Sequence, residues 1–183
     1  MATTLISLAE YLNTNYDPDL EYVDGELVER NVGKWDHGRL ITLLGSWFFQ
    51  HEEEWGIQTA SDVRTRVSDT RVRLPDVLIV DQSAQPAVIE APPVLCIEIL
   101  SEGDTVAATK RKCEEYRAMG SQGIWIIDLM NRTGLCWADG GWREVSRLEV
   151  PETPIYLEMA YLWERLDARR PNSKETGQVR HGE

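Results

Sequence analysis

Cysteine is scarce and scattered. The chain has three, Cys96, Cys113 and Cys136, with no CxxC pair among them. That excludes a disulfide-rich scaffold and fits a reducing compartment. Cys96 lies in an apolar run and reads as a small buried side chain. Long hydrophobic stretches are missing too: none approaches the roughly 20 apolar residues that span a bilayer. The opening MATTLISLAEYL has no basic start and no extended apolar run. It does not read as a secretory signal, so a cytoplasmic location away from membranes is expected. Positive charge is in short supply, with 19 Lys and Arg against 31 Asp and Glu and a net charge of −12. So acidic a chain does not wrap nucleic acid non-specifically, because that requires phosphate neutralisation by Lys and Arg. Specific phosphodiester chemistry stays open, since a bound divalent cation or a local basic patch offsets the repulsion. Phe is rare, with two, whereas Trp is abundant, with seven. No internal repeat is visible.

The 183 residues suit one domain over 1–167 with a core of its own, then a polar tail over 168–183 expected to be disordered. Ser7 with Glu10 forms a capping box for a short helix over 7–13. Tyr16 to Leu20 is a turn around Pro18. Residues 21–30 form a hairpin on the Asp24-Gly25 turn. The apolar face of Leu40, Ile41, Leu43, Leu44, Trp47 and Phe48 predicts a long helix over 36–53. A strand follows over 57–67, then the turn Asp69-Thr70 and a strand ending in Leu78, Ile79 and Val80. Residues 82–93 are a loop. The run 94–100 is apolar almost throughout, the mark of a central strand covered on both faces. A helix over 105–119 is closed by Gly120. Residues 124–129 make a second central strand. Strand, helix and strand in this order predict parallel pairing with a right-handed crossover. Asn131–Gly134 and Asp139–Gly141 are turns bounding short edge strands, and 155–167 is a final helix.

Two acids stand in runs that otherwise want to be buried. Asp76 follows Pro75 at the head of VLIV, and Glu98 interrupts LCIEIL. A carboxylate there is costly unless it is paired or binds a metal. If the two strands are neighbours, Asp76 and Glu98 supply the carboxylates that Mg²⁺ favours, with the backbone carbonyl of Ile99 as a third oxygen. Lys112, two to three turns into the next helix, would orient the attacking water or stabilise the transition state. Structural readings stand beside these. Asp76 suits a strand-start acceptor, Glu98 an ion pair, and Lys112 a solvated face in competition with Lys110. Tyr116, four residues beyond Lys112 on the same face, suits packing. His37 suits a base, a ligand or a helix-face residue, and Asp36 a helix cap or a water-mediated metal contact. Arg64, Arg66, Arg71 and Arg73 form the local basic cluster, directed at phosphates or at the many Glu residues.

Taken in order, these pieces resemble a known family. They are Tyr22 through Val28, His37, Asp62-Val63-Arg64, Pro75-Asp76-Val77, Val94 through Ser101, Lys112 through Tyr116, and Trp125 through Asp128. The ordered set, spread over residues 7–148, is similar to the Uma2-like proteins of the PD-(D/E)XK nuclease superfamily. The resemblance implies an α/β fold of restriction-endonuclease type, a mixed central β-sheet flanked by helices. It implies Asp76 and Glu98 as metal ligands. The superfamily's Lys normally stands two residues after the second acid, where this chain has Leu100, so its role passes to Lys112. Further departures are Glu102 for a Pro, Ala108 for an acid, and Gly123-Ile124-Trp125 for Glu-Tyr-Trp.

The expected function is a Mg²⁺-dependent DNA endonuclease with Mn²⁺ as substitute. Homodimerisation is expected if duplex DNA is cut, because two strands need two sites or one relocating site. The alternatives are a catalytically inactive relative that binds nucleic acid or a protein, and a purely structural role with Glu98 in an ion pair.

Overall fold

The apolar run identified as central is the middle of the structure, a computed structural model describing residues 5–30, 33–83 and 85–168. The expected tail, from residue 169 on, lies outside the described residues. Every residue of β7 (Leu95–Leu100) and of β8 (Gly123–Asp128) is buried. They pair in parallel, Leu95 opposite Gly123 through Leu100 opposite Asp128. Their crossover is α4 (Val106–Met119). The Thr105 hydroxyl caps α4 by accepting from the Ala108 N–H. Gly120, at φ 105°, turns its end and donates to the carbonyls of Tyr116 and Arg117.

Four antiparallel strands complete this sheet. β6 (Val77–Asp81) lies beside β7, and β3 (Ile57–Ala60) beyond it. On the other side come β9 (Thr133–Ala138) and β10 (Gly141–Val145). One face packs α2 (Trp35–Phe49) and α5 (Met159–Asp167) through Leu40, Leu44, Phe48, Trp125 and Leu162. The other face packs α4 through Leu78, Cys96, Leu100, Cys113 and Tyr116.

A second sheet pairs β1 (Glu21–Val23) with β2 (Glu26–Val28), and adds β5 (Arg71–Arg73) and β4 (Thr65–Ser68). Asp24 and Gly25, both at positive φ, make the two-residue hairpin turn as expected. The helix α1 (Leu8–Leu12) rests on this sheet, capped by Ser7, whose hydroxyl accepts from the Glu10 N–H at 3.1 Å.

Three elements are subdivided relative to the sequence reading. The helix over 36–53 stops at Phe49, and a separate turn, α3 (Glu52–Trp55), follows. The strand over 57–67 breaks at Ser61-Asp62, with Asp62 at φ 54°, so its halves serve different sheets. The strand ending at Val80 breaks likewise at Leu74–Asp76. The final helix begins only at Met159. Tyr156–Glu158 (β12) pairs instead with Arg147–Glu149 (β11). Apolar residues such as Leu157 serve a strand as readily as a helix, and the partner strand decides. No helix among the described residues is long and apolar enough to cross a membrane.

Candidate active site

The break before β6 sets the first acid, Asp76, just ahead of the strand. β6 and β7 pair antiparallel, Val77 opposite Ile97 and Leu78 opposite Cys96. Continued by one residue, that register sets Asp76 opposite Glu98, and residues directly opposite share a face. It is the α4 face, shared with Leu78, Cys96 and Leu100. Both acids are buried, at 4% and 6% exposure. The backbone N–H of Ile99 donates to Asp76 Oδ2 at 2.7 Å, which ties the first acid to the strand of the second.

α4 lies across this face and delivers Lys112 and Tyr116 one turn apart. The Tyr116 hydroxyl donates to Glu98 Oε1 at 2.7 Å. The Lys112 ammonium has three acceptors for its three donors. They are Glu98 at 3.0 Å, the Leu74 carbonyl at 3.2 Å and Glu21 Oε1 at 2.7 Å. Glu21, from β1, also accepts from Arg73 at 2.8 Å and from the Leu74 N–H at 3.1 Å. Arg73 in turn holds Glu115 at 2.7 Å. On the other side Arg30 binds Asp76 Oδ1 at 2.8 Å and Asp62 at 2.5 Å. His37 Nε2 stands 3.6 Å from Asp76 Oδ1. Gly33 permits that approach, because a Cβ there would lie 2.4 Å from the His37 ring. Glu21, Arg30, His37, Arg73, Asp76, Glu98, Lys112 and Glu115 line a cleft of about 790 Å³.

The two acids titrate in opposite directions. Burial pushes Glu98 up, to about 7, against the pull of Lys112, and the nearby charges of Asp76 and Glu21 add to the rise. Burial also acts to raise Asp76. The His37 hydrogen bond, the charges of Lys112 and His37, and the Ile99 N–H outweigh it and hold Asp76 below the usual carboxylate range. Glu21 is lowered too, with Lys112 and Arg73 overcoming its burial. The Asp76 hydrogen bond raises His37 against burial. Lys112 is raised, its burial more than offset by Glu98, Glu21 and Asp76. The arrangement therefore holds one firmly ionised carboxylate beside one that titrates near neutrality.

The residues singled out from sequence thus divide. Asp76, Glu98, Ile99, Lys112 and His37 line the one cleft, with Tyr116 buried behind Glu98. Asp36 sits within the first turn of α2, where Lys34 is the cap. Arg64 lies apart. Its guanidinium donates to the carbonyls of Thr14 at 2.9 Å and Tyr11 at 3.3 Å, and stacks 4.6 Å from the Tyr11 ring. Arg66 pairs with Asp69 and Glu90, and Arg71 with Asp24 and Glu115. Sequence reasoning missed Glu21 and Arg30, whose only signal was an acid opening a hairpin and a base closing it.

Among the described residues, no group of three or more His, Cys, Asp or Glu side chains is placed to hold a metal ion. Two buried carboxylates on one face are hard oxygen donors in the number Mg²⁺ usually takes from protein, and in that chemistry the site fits the ion.

No curated protein matches the chain. Among solved structures it resembles one titled a "putative nuclease belonging to DUF820" from Anabaena variabilis. They share 17% identity at a TM-score of 0.78, over 88% of this chain and 99% of that one. At that identity the likeness is one of fold. The chain also overlays part of the DrdV–DNA complex, with 17% identity and a TM-score of 0.40, over 74% of this chain and 12% of that one. Residues 7–167 match the Uma2 family, described as "Putative restriction endonuclease". Matched from its first helix to its last, and built on a mixed sheet flanked by helices as in restriction-endonuclease-like folds, the chain belongs to the Uma2 family.

Proposed function

We propose that this protein is a Mg²⁺-dependent endonuclease that hydrolyses DNA phosphodiester bonds in one step with inversion at phosphorus, Mn²⁺ substituting for Mg²⁺. The observation that carries the reading is the juxtaposition of Asp76 and Glu98, opposite one another on a single sheet face, lining a cleft that also holds Lys112. Asp76, Glu98 and the Ile99 carbonyl would hold the ion. When bound, the ion acidifies a water and offsets charge on the scissile phosphate. Lys112 favours the ionised form of Glu98 and adds positive charge where the phosphate's negative charge grows. Tyr116 fixes the Glu98 carboxylate by its hydrogen bond. Arg30 and His37 hold Asp76 from the open side of the cleft. We place the enzyme in the cytoplasm, where its free cysteines stay reduced. We propose a homodimer, with one site for each strand of a duplex.

A second reading is a catalytically inactive nuclease-fold protein that binds nucleic acid or a protein partner. It is favoured by the commitment of Arg30, Arg73 and Lys112 to carboxylates within the cleft. Cleavage of plasmid and single-stranded DNA in Mg²⁺ and in Mn²⁺ separates the two. The enzyme cuts, and Asp76→Asn and Glu98→Ala abolish cutting while the chain stays folded. A wild type that cuts under neither metal, or an Asp76→Asn protein that cuts normally, refutes the catalytic reading.

A further inference from the structure

Beside the cleft lies a second hollow of about 470 Å³. Its apolar lining is Trp35, Leu129, Met130 and Leu166, and its charged lining is Asp36, Glu102, Lys34 and Arg132, the last two paired with Glu102 and Asp167. His37 and Ser101 line both hollows, so the two adjoin. Trp35 is 82% exposed and Met130 65% exposed. Of the other large aromatic rings on or near α2, those of Phe48, Trp55 and Trp125 pack in the core, whereas Phe49, at the far end of the helix, is 70% exposed. Trp35 takes no part in that packing.

We propose that this hollow binds an unpaired nucleobase of the substrate strand, stacked on the Trp35 indole. The inference rests on the nuclease reading of the adjoining cleft and deepens it by naming the substrate form. Charge supplies the argument for the occupant. Carboxylates outnumber Lys and Arg along the cleft, and four of its five Lys and Arg residues, Arg30, Arg71, Arg73 and Lys112, are paired with acids. Phosphate neutralisation is therefore thin, and affinity for a polyanion must come from contacts that do not depend on charge. Base stacking on an aromatic face is such a contact and tolerates any sequence. Position supplies the rest. His37 stands 3.6 Å from Asp76 and also lines the hollow, so the Trp35 wall adjoins the acids on the His37 side. A base stacked in a duplex has its faces covered, whereas an unpaired or extruded one presents a face for stacking.

The test is anisotropy of a fluorescein-labelled single-stranded oligonucleotide and of its duplex at low salt, in EDTA and again in Mg²⁺. The wild type binds the single strand more tightly than the duplex. Trp35→Ala weakens the single strand about five- to hundredfold, the range base–aromatic stacking spans, and Trp35→Phe restores most of it. One abasic position weakens the wild type but leaves Trp35→Ala unchanged. Unaltered binding by Trp35→Ala overturns the proposal, as does equal loss for single strand and duplex, or no wild-type binding in either buffer. A Trp35→Ala protein that changes only its own sedimentation assigns the surface to a second copy and also overturns it. If the stacking pattern holds but no DNA is cut under Mg²⁺ or Mn²⁺, the catalytic reading fails and the base pocket stands.

Discussion

Replacing Lys112 by Met keeps the apolar stem along the floor of the cleft and deletes only the ammonium. Glu21 and Glu98, 4% and 6% exposed, then lose a shared counter-charge. Breaking a buried pair from one side costs about 3–5 kcal/mol, because the remaining charge is uncompensated. The loss falls unequally. Glu21 keeps Arg73 at 2.8 Å and the Leu74 N–H at 3.1 Å. Glu98 keeps only the Tyr116 hydroxyl at 2.7 Å. Glu98 also has an escape. It already titrates at about 7 beside Lys112, and without that cation it moves higher and takes a proton. The variant's native state then binds a proton that the unfolded chain lacks, so its stability falls as pH rises through that window. We expect Lys112→Met to lose about 4 kcal/mol at pH 8 and about 1–2 kcal/mol at pH 6. Urea unfolding at both pH values, followed by Trp fluorescence and far-UV circular dichroism, reads the two losses. Adding Glu98→Gln to Lys112→Met should recover most of the loss at pH 8. A loss below about 1 kcal/mol at pH 8, or equal losses at both pH values, refutes the reasoning.

Glu98→Gln alone flattens the pH dependence of stability. The wild-type carboxyl, raised from 4.5 to about 7, stabilises the fold fully below pH 4.5 and loses that contribution as pH climbs to 7. The difference is about 3 kcal/mol, readable from denaturation midpoints across pH 5–8. Gly123→Ala places a Cβ 2.7 Å from Val150 and 2.9 Å from Leu95 at the start of β8. It should cost about 1–3 kcal/mol in the same assay, and a neutral result would mean that Val150 yields. Arg64→Met removes a clamp on α1, so we expect a lower melting temperature with DNA cleavage unchanged. A selective rise in KM for DNA would return Arg64 to the phosphate contacts.

The central strands were legible because their pattern admits one answer. Leu95–Leu100 and Gly123–Asp128 are too apolar for an edge, and the helix between them dictates parallel pairing. The first acid and its partner were legible for the same reason, since a charge inside such a strand demands an explanation. What the sequence hid was the second sheet. The segments 57–67 and 71–80 each read as one strand, because periodicity records alternation and not which neighbour a strand pairs with. The breaks at Asp62 and at Pro75 send β3 and β6 to one sheet, β4 and β5 to the other. Glu21 was invisible for that reason. It opens a hairpin of ordinary composition, and only the pairing of β1 with β5 carries it to the end of Lys112.

That pairing gives the site its second duty. α4 packs against the six-stranded sheet through Cys113 and Tyr116, while Glu21 and Arg73 belong to the four-stranded one. The contacts from Lys112 to Glu21 and from Arg73 to Glu115 therefore join two sheets across the line where the cleft opens. A buried ion pair tolerates little displacement, because a displaced partner leaves a charge without compensation. The small sheet, which also packs on α4 through Val67, is thus tied to β6 and β7 in part by the same side chains that surround Asp76 and Glu98. A substitution that loosens the hairpin acts on the acids through Lys112, without touching either of them.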